Sequence, residues 1–189
     1  MRYKNREEAG IYLAKEIRNY DFNINDSVIL AIPRGGVLVA YEMAKELNIP
    51  FNLIITKKIS YPSNPEVAIG SVAPDGTIKI NEEAIKYSNI SSEELENAKE
   101  EAISKIDERV KKYIGKDYPS IEGKRVIIVD DGIATGYTAL VAGEYAKKRG
   151  AKEVILAIPV CPMNTLEKTE KVFDHVACAN RVDTYAFSV

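Results

Sequence analysis

The chain has 189 residues, and its 26 basic residues nearly balance its 28 acidic ones. This length suits one domain, and the charge balance excludes a global attraction to nucleic acid or anionic membrane while leaving room for a local basic site. Because the N-terminus lacks a signal-peptide core and no run approaches the ~20 apolar residues of a membrane span, we expect a cytoplasmic protein.

Cysteine and histidine are scarce, which restricts the chemistry open to the chain. Cys161 and Cys178 lack CxxC spacing, so we expect reduced, buried thiols rather than a disulfide. His175 is the single histidine of the sequence. A zinc site or a Ser-His-Asp triad would have to rest on that one residue, which argues against both.

The first third of the chain predicts a helix followed by a βαβ unit. Residues 6–19 have apolar side chains at helical spacing, and Asn5 with Glu8 resembles a capping box. The next segments read as strand, glycine-rich turn, helix and strand, at 27–33, 33–36, 37–47 and 49–56. This order indicates neighbouring parallel strands.

The middle of the chain is less regular. We expect a mobile loop over 59–66, and then a hairpin around the turn Pro74-Asp75-Gly76. Residues 91–114 predict a long helix, capped by Ser92, with one apolar side and a charged, solvated face. A loop over 115–124 follows.

The pattern of strands and helices returns after this loop. A strand, a loop, a helix, a second strand, a short helix and a last strand are predicted at 125–130, 131–138, 139–150, 153–160, 166–173 and 175–180. The whole chain therefore predicts an α/β domain with a parallel-sheet core of about five strands, flanked by helices.

Two adjacent aspartates stand at the end of one predicted strand, in VIIVDDGIATGYTA at 126–139. Ligands of open α/β sheets bind at the carboxyl ends of the strands, where Asp130 and Asp131 fall. The following loop, 132–138, leads into a helix whose first N–H groups favour an anion such as phosphate. Its members are Gly132, Ile133, Ala134, Thr135, Gly136, Tyr137 and Thr138.

A phosphate alone would not select two carboxylates as neighbours. A ribose 5-phosphate satisfies both features, because its diol donates to carboxylates directly or through Mg²⁺ while its phosphate meets the loop. A turn-forming role for the aspartates is the alternative. A Walker B carboxylate is disfavoured because the chain has no GxxxxGK[ST], and it has no GxGxxG for a dinucleotide either.

The same string resembles the signature of type I phosphoribosyltransferases, which bind 5-phosphoribosyl 1-pyrophosphate (PRPP) with Mg²⁺. REEAGIYLAKEI, AIPRGGVLVAYEMAKEL, KKISYPSNPEVAIGSVAPDG and AKEVILAIPV extend the resemblance over most of the chain. They are similar to a branch of predicted members with unassigned base specificity. The resemblance implies one domain over 1–189, with its core at about 20–160 and base-binding hood elements from 1–19 and 161–189.

The resemblance also implies residue roles. Asp130 and Asp131 would hold the ribose hydroxyls, directly or through Mg²⁺, and 132–138 the 5-phosphate. PRGG at 33–36 matches the family's pyrophosphate loop, so Arg34, Gly35 and Gly36 would hold pyrophosphate, and a strained or cis bond is expected at Arg34–Gly35. A plain strand-to-helix turn is the alternative interpretation of PRGG.

The segment after the second predicted strand matches the family's basic residues and flexible loop. Lys57 or Lys58 would contact pyrophosphate, although exposed charges serving solubility are the alternative. The loop over 59–66 would close over PRPP and exclude water, with Tyr61 and Glu66 reaching the site.

Two departures from the family pattern concern the base. Ala134 stands where the 6-oxopurine branch has an acidic residue, which disfavours hypoxanthine, guanine and xanthine. The sequence ends at RVDTYAFSV, which predicts a short hood. Asp183, Tyr185 and Phe187 are candidates for recognising a base, although an ordinary strand or tail is equally compatible.

Together these features predict a Mg²⁺-dependent phosphoribosyltransferase. It would transfer ribose 5-phosphate from PRPP to a nitrogenous base and release pyrophosphate, as a homodimer without nucleic-acid or membrane partners. The alternative is a non-catalytic regulator that senses PRPP or nucleotides on the same fold.

Overall fold

A computed structural model of the chain describes residues 3–20, 24–115 and 118–183. The strands are β1 Ser27–Ala31, β2 Phe51–Leu53, β3 Lys57–Tyr61, β4 Asn64–Val72, β5 Ile78–Ile80, β6 Arg125–Val129, β7 Glu153–Pro162 and β8 His175–Val182. The helices are α1 Arg6–Arg18, α2 Gly35–Leu47, α3 Glu82–Lys86, α4 Ser92–Tyr113, α5 Tyr137–Lys148 and α6 Met163–Thr169.

The central sheet has five parallel strands in the order β2-β1-β6-β7-β8, which confirms the predicted fold class. Ala31 of β1 pairs with Val129 of β6, so these two strands end level with each other. The segments that follow β1 and β6 therefore begin side by side at the carboxyl ends of these strands. These segments are PRGG and the aspartate pair.

Each face of this sheet carries its own apolar core. Along β6, Ile127 and Val129 pack with Leu13, Ile17 and other residues of α1 and α2. The alternate residues of β6, Val126 and Ile128, pack on the other face with α5 and α6. Because side chains alternate along a strand, a continuous apolar run is what a strand covered on both faces requires.

A second, antiparallel sheet of β3, β4 and β5 packs against α4. The prediction of a loop over 59–66 was wrong, because β3 and β4 form a hairpin there. Its buried Ile59 and Ile69 face Ala102 and Ile106 of α4, and this packing outweighs the loop signal of the local prolines. The hairpin predicted around Pro74-Asp75-Gly76 is confirmed as the β4–β5 connection. Helix α3 had not been predicted.

The N-terminal cap of α4 lies one residue before the predicted position. Ser91, and not Ser92, caps α4: its hydroxyl accepts from the N–H of Glu94 at 3.2 Å, and the Glu94 carboxylate accepts from the N–H of Ser91 at 2.8 Å. Only Ser91 has a glutamate three residues later, as a capping box demands. At α1, Asn5 accepts from the N–H of Glu8 at 2.9 Å, while the Glu8 carboxylate takes the N–H of Lys4.

Several helices and strands begin or end at residues other than those predicted. Helix α5 begins two residues before the predicted 139, α6 lies earlier than 166–173, and β2 is shorter than 49–56. Both cysteines are free thiols, as expected, but Cys178 is only half-buried. Within the ranges that the structure describes, no helix has the length and apolar character to cross a membrane.

Candidate active site

A cavity of about 580 Å³ opens where β1 and β6 end. Its wall contains Arg34 and Gly35 of the PRGG segment, Lys58 at the start of β3, and both aspartates. Every residue of 132–138 except Tyr137 also lines it. The fold thus brings together three segments that lie far apart in the sequence.

The two glycines of PRGG set how closely these segments approach. A Cβ on Gly35 would lie 1.9 Å from Asp131 Oδ2, and one on Gly36 would lie 2.6 Å from the Val129 carbonyl oxygen. Any side chain at these positions would therefore collide with the end of β6 or with the carboxylate that follows it. Glycine is needed here for contact between the two loops, in addition to the predicted exposure of N–H groups.

The non-proline cis peptide bond lies between Pro33 and Arg34. The expectation of such a bond at Arg34–Gly35 was wrong by one position. Arg34 is the N-cap of α2 and already has helical backbone angles, with φ −96° and ψ −37°. The Arg34–Gly35 peptide bond therefore belongs to the first turn of α2.

The two aspartates have different surroundings. Burial raises the pKa of Asp130 well above its usual range, and the adjacent charge of Asp131 adds to the rise. The Asp131 N–H donates to Asp130 Oδ1 at 2.8 Å and opposes it. A cation or a hydrogen-bond donor that enters the cavity would therefore stabilise the ionised form of Asp130.

An arginine that sequence analysis did not assign to the site contacts the second aspartate. Arg6, the first residue of α1, donates from Nε and Nη2 to Asp131 Oδ2 at 3.0 and 2.6 Å. Its side chain also lines the cavity. Nothing in the local spacing links two residues 125 positions apart, because the contact depends on how α1 docks.

The loop after the aspartates is fixed from its outer side. Ile133 is buried in the core, and Thr165 of α6 donates to the Ala134 carbonyl oxygen at 2.6 Å. Gly136 has φ 82°, a left-handed conformation that favours glycine, and a Cβ there would meet Thr165 Cγ2 at 2.7 Å. These contacts on the outer side hold the loop in shape, and the groups that face the cavity take no part in them.

Both helices that point at the cavity start without a side-chain cap. Arg34 supplies no capping hydrogen bond to α2, and Gly136 supplies none to α5. The first N–H groups of a helix need partners from a cap, water or a ligand. At α2 the N–H groups of Gly36 and Val37 already donate to the Ile32 and Arg34 carbonyl oxygens at 3.1 and 3.3 Å, so α5 is the better helix start for an anion at this cavity.

A family model for the phosphoribosyl transferase domain matches residues 2–189. The chain belongs to the phosphoribosyl transferase family. Two Mycobacterium tuberculosis proteins named putative phosphoribosyl transferases are each 31% identical to it over 177 residues, or 93% of this chain and 40% of theirs. The chain thus spans about two fifths of the length of these curated relatives.

Solved structures agree with this assignment. TT1426 from Thermus thermophilus superimposes with a TM-score of 0.76 at 28% identity, covering 99% of this chain and 88% of that one. A purine phosphoribosyltransferase from Pyrococcus horikoshii gives a TM-score of 0.55 at 24% identity, covering 100% and 94%, and supports the fold alone. The predicted type I phosphoribosyltransferase fold is confirmed, as is the resemblance to members without an assigned base.

The two predicted lysines of this chain differ in their relation to the site. Lys58 lines both the site and a second cavity of about 490 Å³ between β3 and α4, whereas Lys57 lines the second cavity and not the site. Burial lowers the pKa of Lys57, and the nearby charges of Arg109 and Lys105 lower it further. Tyr61 also lines the second cavity, and Glu66 is exposed on β4. The structure does not bring Lys57, Tyr61 or Glu66 to the cavity beside the aspartates.

The residues considered for base recognition contribute little to the described site. Asp183 is exposed beyond the end of β8, and Tyr185 and Phe187 lie outside the described residues. His175 starts β8 at the opposite edge of the sheet, with Nε2 3.2 Å from Glu153 Oε1. His175 is not among the residues that line the cavity.

The donor set at the site suits a hard cation shared with a substrate. Carboxylate oxygens are ligands that Mg²⁺ prefers, and Mg²⁺ keeps several positions for water and phosphate oxygens. In the parts of the chain that the structure describes, no group of three or more histidine, cysteine, aspartate or glutamate side chains is arranged to hold a metal. A cation here would take most of its ligands from the substrate and water.

Proposed function

We propose that this protein transfers the 5-phosphoribosyl group of PRPP to a nitrogenous base and releases pyrophosphate, with Mg²⁺. The observation that carries the proposal is the arrangement of one cavity. The uncapped start of α5, the PRGG segment, Lys58 and the carboxylates of Asp130 and Asp131 all line it. A phosphorylated sugar with a second phosphate group offers anionic groups to the helix start and the cations, and hydroxyls to the carboxylates. Membership of the family supports the same substrate.

The start of α5 is the proposed site of the 5-phosphate. Its N–H groups carry the positive end of the helix dipole and have no capping side chain. Thr135 and Thr138 line the same part of the cavity and add hydroxyl donors. The hydrogen bond from Thr165 to the Ala134 carbonyl oxygen holds the loop in place and supports this assignment.

The opposite end of the cavity is the proposed pyrophosphate site. Arg34 presents a forked donor, and Lys58 adds a second positive charge from β3. Between these ends, Asp130 and Asp131 would accept hydrogen bonds from the ribose diol, directly or through the cation. The Mg²⁺ ion, when bound, would supply positive charge to the pyrophosphate oxygens.

The chemical step asks little of the protein beyond placement and electrostatics. The bond between C1 and the pyrophosphate oxygen breaks with its electron pair remaining on pyrophosphate, and a base nitrogen bonds to C1 from the opposite face. Arg34 and Lys58 would stabilise the charge that develops on the leaving group. The aspartates would fix the ribose so that C1 faces the acceptor.

The direct test is pyrophosphate release from PRPP in the presence of Mg²⁺ and each member of a panel of bases. Release with one base and not with base-free controls is the expected result, and it names the acceptor. PRPP binding without release on any base would instead indicate the regulatory protein considered from the sequence. Absence of PRPP binding would contradict both functions.

A further inference from the structure

Arg6 approaches the candidate site from outside both ligand-binding loops. It is the first residue of α1, whose Leu13 and Ile17 are fully buried against the sheet and α2. Helices α1 and α2 pack so closely that a Cβ on Gly10 would lie 2.6 Å from the Val39 carbonyl oxygen. The backbone that carries Arg6 is therefore held by a docked helix.

The contact that Arg6 makes uses only part of the Asp131 carboxylate. Nε and Nη2 both donate to Oδ2, and a Cβ on Gly35 would lie 1.9 Å from this oxygen and 2.4 Å from Oδ1. Among the described residues, no hydrogen-bond donor to Oδ1 is found. The carboxylate is thus clamped through one oxygen, with the other left for a ligand.

The charge of Arg6 also matters at this position. Asp130 and Asp131 are adjacent in sequence, so two carboxylates lie close together at the site. The Asp131 side chain is 13% exposed, whereas the Arg6 side chain is 55% exposed. Arg6 therefore supplies a positive charge to the more buried partner, while much of its own side chain stays in water.

We infer that Arg6 is a positioning residue for the sugar site: it holds Asp131 by Oδ2 and thereby presents Oδ1 to a ribose hydroxyl. This role rests on the proposed function. It differs from a blocking role, in which Arg6 would have to leave Asp131 before the sugar binds. The two roles predict opposite effects of removing the guanidinium.

The test compares Mg²⁺-PRPP binding by calorimetry in the wild type, Arg6→Ala, Arg6→Lys and the control Arg18→Ala. Arg18 lies at the other end of α1, where its guanidinium donates to the Glu46 carbonyl oxygen, so its loss probes helix docking without touching the cavity. Thermal melting of each variant checks the fold.

Arg6→Ala is expected to weaken binding about tenfold, the loss that follows when a charge-assisted bond no longer orients a carboxylate. Arg6→Lys should fall between Arg6→Ala and the wild type because it keeps the charge and loses the fork. Arg18→Ala should bind like the wild type. Guanidinium added well below denaturing concentration should restore part of the affinity of Arg6→Ala, which a purely structural role would not allow.

Wild-type-like or tighter binding by Arg6→Ala would overturn the inference, and tighter binding would indicate the blocking role. Equal losses in Arg6→Ala and Arg18→Ala, without guanidinium rescue, would also overturn it. If the wild type itself fails to bind Mg²⁺-PRPP, the proposed function is refuted, and the inference with it. The wild-type titration therefore shows whether the proposed function has failed or only the role inferred for Arg6.

Discussion

At the scale of single residues, the contact between the two loops depends on two glycines with different neighbours. Gly35 faces the Asp131 carboxylate, which is a side chain, whereas Gly36 faces the backbone of Val129 and Asp130. A side chain can rotate away from a new methyl group, but the backbone of a central strand cannot. Substitution of Gly35 should therefore affect ligand binding, and substitution of Gly36 should affect stability.

Gly35→Ala is expected to weaken Mg²⁺-PRPP binding at least tenfold while leaving the melting temperature close to that of the wild type. Gly36→Ala should lower the free energy of unfolding by about 1–3 kcal/mol, the usual cost of overpacking a closed contact. Calorimetry and denaturant unfolding of both variants measure the two effects. Unchanged PRPP affinity in Gly35→Ala would show that displacement of Asp131 is harmless.

At the scale of elements, the capping of α4 tests the correction from Ser92 to Ser91. Ser91→Ala removes the acceptor of the Glu94 N–H and should cost about 1 kcal/mol of unfolding free energy. Ser92→Ala should be within about 0.5 kcal/mol of the wild type, because it lies inside the helix and is exposed. Urea unfolding of the pair gives the comparison, and equal losses would argue against the capping box.

The segment before β6 is tied to the first sheet by Tyr118. Its hydroxyl accepts from the N–H of the buried Ile55 at 3.0 Å, and its ring packs on Tyr145 with centroids 5.8 Å apart. Burial raises the pKa of Tyr118, so the phenol stays protonated at neutral pH. The hydroxyl therefore satisfies a backbone donor that has no other partner among the described residues.

Tyr118→Phe is expected to destabilise the protein by about 1–3 kcal/mol, because it leaves the Ile55 N–H buried and unpaired. Tyr87→Phe is the matched control, since Tyr87 is 83% exposed. Thermal and urea unfolding measure both variants. A loss for Tyr118→Phe no larger than that of the control would mean that water replaces the hydroxyl.

Elements with a local signal were predictable from the sequence, and contacts between distant segments were not. The run VIIV announces a strand covered on both faces, and DDGIATGYT places small and acidic residues at its end. The β3–β4 hairpin forms because Ile59 and Ile69 meet α4, which its prolines and glycines do not reveal. Arg6 reaches Asp131 only through the docking of α1, so no pattern in the sequence pointed to it.

At the scale of the whole molecule, one parallel sheet carries the proposed chemistry and a smaller unit stands beside it. The antiparallel sheet of β3, β4 and β5 packs on α4 and is joined to α5 by the Lys79–Glu144 ion pair at 2.6 Å. Lys58 at the base of this unit reaches the cavity, so the unit contributes to the proposed pyrophosphate site. The homodimer stays a prediction, which light scattering in solution would check.

We propose that the aspartate pair, the PRGG segment and the start of α5 form one site for a phosphorylated ribose. Calorimetric titration of Mg²⁺-PRPP into the wild type and Asp131→Asn tests it most directly, because this change removes a charge and keeps the shape. We expect one site per chain in the wild type and an affinity at least tenfold lower in Asp131→Asn. Equal affinities in the two proteins, or no binding by the wild type, would contradict it.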